Sequence, residues 1–165
     1  MKKDIIIKSA NSNGKKIFIQ KMVEKCKLLN DKGLMTWNIE SLTEDKLNQQ
    51  YINPQYFVCY LNDQFIGGFI LLTSDDFFWP ENTEDDSFYI HKLLVCNGFN
   101  GNGYGNLIMN WIKEYGKKNG KKFLRLDYFK SKQKLKLFYE ENGFYKVDEI
   151  KYQDRDINIK VEYQL

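Results

Sequence analysis

The chain has 165 residues and a mass of 19.7 kDa, enough for one domain with a substantial hydrophobic core. Hydrophobic residues make up 42% and aromatics 16%, which excludes a disordered or low-complexity chain. The formal charge of +3 is too small to imply a nucleic-acid partner, but it is unevenly spread: residues 113–136 hold ten Lys or Arg against two acids, and residues 75–86 hold six acids and no base.

Cys26, Cys59 and Cys96 form no C-x-x-C pair and leave one over, so they read as reduced thiols rather than a disulfide framework. The start MKKDIII is basic, but its apolar run is three residues long and Lys8 follows, which does not fit a signal peptide. No stretch is long and apolar enough for a membrane span, and a cytoplasmic, membrane-free protein is expected.

Asp4–Ile7 reads as a short first strand. From Lys15, Phe18, Met22, Cys26 and Leu29 recur every three or four residues and predict an amphipathic helix. A second, weaker helix is expected over Ile39–Tyr51, stopping before Pro54. FVCYL (57–61) and FIGGFILL (65–72) flank Asn62-Asp63-Gln64 and predict a hairpin. SDDFFWPENTEDD (74–86) reads as a loop and SFYIHKLLV (87–95) as a central strand. After a glycine-rich stretch, Leu107, Ile108, Trp111, Ile112 and Tyr115 repeat at helical spacing, and Asn119-Gly120 closes that helix. KFLRLDYF (122–129) predicts a strand and SKQKLKLFYEEN (131–142) a helix capped by Gly143. A final hairpin follows, with alternating Ile157, Ile159, Val161 and Tyr163 in its second strand. The pattern is an α/β domain with antiparallel hairpins at either end of a central β-α-β-α unit.

The stretch CNGFNGNGYGN (96–106) places Gly98, Gly101, Gly103 and Gly105 within eight positions. It fails the dinucleotide fingerprint at Asn106, and it fails the P-loop at Tyr104 and Gly105, where Lys and Ser or Thr are needed. What remains is strand, glycine turn and helix start. The first turn of a helix offers unpaired N–H donors and a positive dipole end to a phosphate. The competing reading is a flexible turn of left-handed residues, which its Asn-Gly pairs would permit.

HKLLV, NGNGYG, an amphipathic helix, FLRLDYF and then FYEENGF together resemble the GNAT superfamily of acetyl-CoA-dependent N-acetyltransferases. The family's Gln/Arg-x-x-Gly-x-Gly/Ala signature falls on Asn100–Gly105, and its apolar-Tyr-acid-x-x-Gly-Phe signature on Phe138–Phe144. The resemblance covers about residues 87–148, and the flanks agree in element order. Two departures stand out: Asn100 replaces the usual Gln or Arg, and Lys132 stands where an Asn often holds the cofactor.

The resemblance implies a single domain over 1–165 with an α/β (α+β) fold, a mixed, mainly antiparallel twisted sheet of six to seven strands flanked by about four helices. It implies acetyl-CoA as co-substrate, with the pantetheine arm along Leu93, Leu94 and Val95 and their side chains in the core. It also implies the pyrophosphate on the amides of Gly101, Asn102, Gly103, Tyr104, Gly105 and Asn106. Lys130, Lys132 and Lys134 are candidates for the remaining phosphate, against the alternative of a solvated helix face. Tyr139 holds the position of the family's general acid, and a phenol near pKa 10 stays protonated until a thiolate develops. Plain packing is the alternative, since Tyr139 shares a helix face with Leu135 and Phe138.

His91 is the single histidine and a candidate general base; a packed histidine, with a carboxylate acting through water, is the competing reading. Strand alternation would put Tyr89, His91 and Leu93 on one face. The acids and aromatics of residues 74–86 suggest a cationic small amine as acceptor, or else a solvated surface loop. The expected activity is acetyl transfer to a primary amine, and the alternative is a non-catalytic acyl-CoA-binding sensor of the same fold. No nucleic-acid reader motif occurs, and monomer and homodimer both remain open.

Overall fold

The computed structural model describes residues 4–34 and 37–165, so the basic Met1–Lys3 start lies outside it. In chain order the elements are β1 (Ile6–Ser9), α1 (Ser12–Asp31), a 3-10 turn (Ile39–Ser41), α2 (Glu44–Gln50), β2 (Gln55–Leu61), β3 (Gln64–Leu72) and β4 (Ser87–Val95). They continue with α3 (Tyr104–Lys118), β5 (Phe123–Phe129), α4 (Gln133–Glu141), β6 (Tyr145–Lys151) and β7 (Ile157–Gln164). The seven strands run in the order β1-β2-β3-β4-β5-β7-β6 in one mixed sheet, with β4 and β5 parallel. This is the expected fold class. By contacts the chain forms two compact units, one of residues up to Leu72 with His91–Ile108, the other of Thr73–Ile90 with Met109–Leu165.

In the first unit, the Asn11 side chain accepts the Gly14 N–H at 2.8 Å and starts α1 three residues before the expected Lys15. Phe18, Met22 and Cys26 are its buried stripe, as their spacing requires. The expected helix over 39–51 is split, because Thr43 caps a new helix by accepting the Lys46 N–H at 3.3 Å. β2 and β3 form the expected hairpin, and Phe57 stacks on Phe69 at 5.0 Å across it. Its loop is the two residues Asn62 and Asp63, with φ of +47° and +64°, the mirror-image turn that suits the strand twist. β1 pairs with β2 over Ile6–Ser9, two residues later than expected.

In the second unit, Ser87–Tyr89 of β4 pair with Phe123–Arg125 of β5. β7 pairs antiparallel with β5 along its length and with β6 on its other side. The Schellman-type ending of α3 is as expected: Lys121 N–H reaches the Gly116 carbonyl at 3.0 Å, and Gly120 has φ +70°. Met109, Ile112, Leu124, Leu126, Phe144 and Val161 are among the buried apolar residues of this unit.

Candidate active site

The end of β4 belongs to the first unit and departs from a regular strand. Lys92 sits at φ +53°, a left-handed conformation that a side chain makes costly, so the strand is bulged there. The expected alternation of His91 and Leu93 on one face therefore fails, since a bulge re-aims the side chains that follow it. Of the three residues expected in the core, Leu94 is buried, while Leu93 and Val95 are half-buried.

Two groups of the same unit hold this strand end. A Cβ on Gly67 of β3 would collide with the Leu94 carbonyl oxygen, so glycine is what lets that carbonyl approach β3. The Val95 carbonyl accepts from the Lys25 ammonium of α1 at 2.8 Å, and Cys96 N–H closes onto the Ile66 carbonyl at 2.8 Å. Neither Gly67 nor Lys25 follows from the motif reading. The Gly-Gly pair inside an apolar strand is the signal that could have pointed to the first.

The glycine turn follows at once. Gly98, Gly101 and Gly103 all have positive φ, and a Cβ on any of them would meet nothing within 4 Å. Glycine is needed there for backbone conformation, and the space over the turn is open. At Gly103 that conformation delivers the chain into α3, whose first i→i−4 bond runs from Leu107 N–H to the Gly103 carbonyl at 3.1 Å. The amides of Tyr104, Gly105 and Asn106 thus lie at the positive end of a fifteen-residue helix. The exposed side chains of Asn100 and Asn102 bond back to the loop: Asn100 donates to Asn97 at 3.4 Å, and Asn102 to the Asn100 carbonyl at 3.2 Å. Asn100 thus serves the turn itself. His91, also in this unit, lies with its ring 4.8 Å from that of Tyr51.

Tyr139 and Lys132 belong to the second unit. Tyr139 is buried on α4 between Tyr128 at 5.7 Å, Phe138 at 5.2 Å and Phe144 at 5.7 Å. Burial raises its pKa well above the usual phenol value, and the charges of Asp127 and Tyr128 push the same way. Lys132 is the N-cap residue of α4 and makes no side-chain capping bond.

The acidic loop is held down inside the second unit. Glu81 accepts from Lys160 at 2.7 Å, Asp85 pairs with Lys121, and Asp86 lies 3.4 Å from Arg125. Trp79 is buried with the Lys160 ammonium 4.3 Å from its ring, so this indole is folded onto the sheet rather than offered to a ligand. Phe77 stays exposed, edge-on to Tyr152 at 5.1 Å.

The family model described as acetyltransferase (GNAT) family matches residues 22–144, reaching well before the region that carries the sequence motifs. No curated protein matches the chain. Among solved structures, aminoglycoside acetyltransferase AAC(6')-Ib in complex with coenzyme A and kanamycin is similar, with a TM-score of 0.75, 16% identity, and 98% of this chain and 95% of that one covered. A GNAT-family acetyltransferase from Staphylococcus aureus gives 0.69 at 18% identity, covering 98% and 99%. The IAA acetyltransferase from Bacillus cereus gives 0.66 at 15%, covering 98% and 100%. At such identities the likeness shows the fold. The family match, spanning about three quarters of the chain, shows membership: this chain belongs to the GNAT acetyltransferase family, and its co-substrate is acetyl-CoA. Among the described residues, no helix is long and apolar enough to cross a membrane.

Proposed function

We propose that residues 1–165 act as one N-acetyltransferase domain that moves an acetyl group from acetyl-CoA directly to a primary amine of a small molecule. The observation that carries this is the glycine turn, with its open left-handed glycines feeding the amino end of α3, which suits a diphosphate. The bulged end of β4 provides the backbone edge for the pantetheine arm at Leu93–Val95. In the reaction the amine nitrogen bonds to the thioester carbonyl carbon, the C–S bond breaks, and the departing sulfur takes a proton from Tyr139. His91 is the candidate for removing the amine's proton, and Lys132 for a further phosphate contact.

The small-amine assignment is supported by the complex of the aminoglycoside acetyltransferase AAC(6')-Ib with kanamycin. The acidic loop supports it less, because three of its six acids are paired with Lys121, Arg125 and Lys160. The lysine-rich region supports a nucleic-acid partner no better: Lys117 and Lys121 are in ion pairs, and Lys113 donates to the Asn142 carbonyl at 2.7 Å.

Calorimetric titration with acetyl-CoA tests the reading. The wild-type chain is expected to bind in the micromolar range, and Gly103→Glu to abolish binding while staying folded, because it adds both a disfavoured φ and a negative charge where a phosphate must sit. A folded wild-type chain that binds no acetyl-CoA would sink the proposal.

A further inference from the structure

Lys25 is an unusual lysine for an amphipathic helix. It is half-buried, it lies on α1 between Met22 and Cys26 of the core stripe, and its ammonium donates to the carbonyl of Val95, seventy residues away, at 2.8 Å. The titratable groups beside it are the thiols of Cys96 and Cys26, and no carboxylate pairs with it among the described residues. Burial correspondingly pushes its pKa down. A partly desolvated cation with one carbonyl partner is costly unless it holds something in place or meets an anion.

The first condition is met at this spot. Val95 is the last residue of β4, and Cys96 opens the glycine turn. Gly67 admits the Leu94 carbonyl toward β3, so Gly67 and Lys25 fix two consecutive peptides of the strand end from the protein side. The direction in which the chain enters the turn depends on both.

We propose that Lys25 is a positioning residue for the coenzyme: its ammonium clamps the Val95 carbonyl, orients the peptide that leads from β4 into the glycine turn, and lends that turn a positive charge satisfied by the coenzyme's diphosphate. This rests on the acetyl-CoA reading of the turn given above. The role is distinct from Tyr139 or His91, since Lys25 acts on binding and takes no part in bond making.

The test compares wild type, Lys25→Met, Lys25→Gln and Lys25→Arg by calorimetry with acetyl-CoA and by steady-state kinetics, with thermal unfolding as the control for folding. Lys25→Met is expected to weaken acetyl-CoA binding and raise its KM about tenfold, the scale of a lost hydrogen bond to a charged group, with kcat moved less than about twofold. Lys25→Arg should restore most of the affinity. Lys25→Gln keeps a donor for the carbonyl without the charge and should fall between, and it carries the test should the methionine variant fail to fold. Wild-type affinity in Lys25→Met, or in Lys25→Gln where the former is unfolded, would overturn the inference. Equal losses in kcat and affinity across all three variants would overturn it as well. A wild-type chain that binds no acetyl-CoA is a different result, which removes the coenzyme reading and this inference with it.

Discussion

At Tyr139 the protein has made a weak acid weaker. The raised pKa means the phenol keeps its proton at every working pH and ionises only above its ordinary value near 10. For the general acid proposed above, so raised a pKa means that Tyr139 first donates a hydrogen bond to the sulfur as charge grows there and gives up its proton only late in C–S cleavage. Tyr139→Phe is accordingly expected to lower kcat by tens-fold or more while leaving acetyl-CoA affinity within about twofold. The sign of the shift also fixes the pH profile: no alkaline fall in kcat below about pH 10 should trace to this residue. A Tyr139→Phe enzyme with wild-type kcat would leave the aromatic packing around α4 as the whole role of the ring.

Among the elements, the loop between β3 and β4 shows how charge patterning misleads when read along the chain alone. Its acids looked like a reception for a cationic ligand, and their partners Lys121, Arg125 and Lys160 come from the segment before β5, from β5 and from β7. Arg125 and Lys160 are both buried, and Arg125 also donates to Glu162 at 2.7 Å and to the Ser87 hydroxyl at 2.5 Å. Replacing Arg125 by Met takes the cation from the nearly buried Glu162, leaving the Tyr145 hydroxyl as its donor, and should cost about 3 kcal/mol in denaturant unfolding. Lys160→Met should cost far less, because its partner Glu81 is 57% exposed and returns to water. Similar losses from the two would mean that burial of the acid does not decide the outcome.

For the molecule as a whole, the elements were legible wherever one local pattern governs them. β4 and its glycine turn, the Asn-Asp hairpin, the α1 stripe and the helix-ending glycines 120 and 143 all follow from periodicity or turn chemistry. Boundaries slipped where a capping side chain decides, as Asn11 and Thr43 do. The glycine turn proposed to take the phosphates was readable because a motif of backbone conformations leaves glycines behind in the sequence. The bulge at Lys92 was not, since an ordinary lysine occupies a conformation normally left to glycine. Lys25 was hidden for another reason: its partner is a main-chain carbonyl seventy positions off, and no side-chain pattern records it.

The contact between Lys92 and Trp37, with the ammonium 5.4 Å from the ring centre, has an optical consequence. The chain has three indoles: Trp79 is sealed beside Lys160, Trp111 is stacked on Tyr115 at 4.9 Å, and Trp37 is half-buried beneath the side chain of the bulged residue. Emission from an indole follows the charges around it, so a ligand that settles on the end of β4 and shifts Lys92 should alter Trp37 while leaving the other two dark to the event. Titration with acetyl-CoA is expected to change the intrinsic fluorescence of the wild-type protein, and Trp37→Phe to erase that change without loss of binding. The protein then carries a built-in gauge of coenzyme occupancy, usable for screening amines before any acceptor is known; a signal that survives in Trp37→Phe would place the gauge elsewhere.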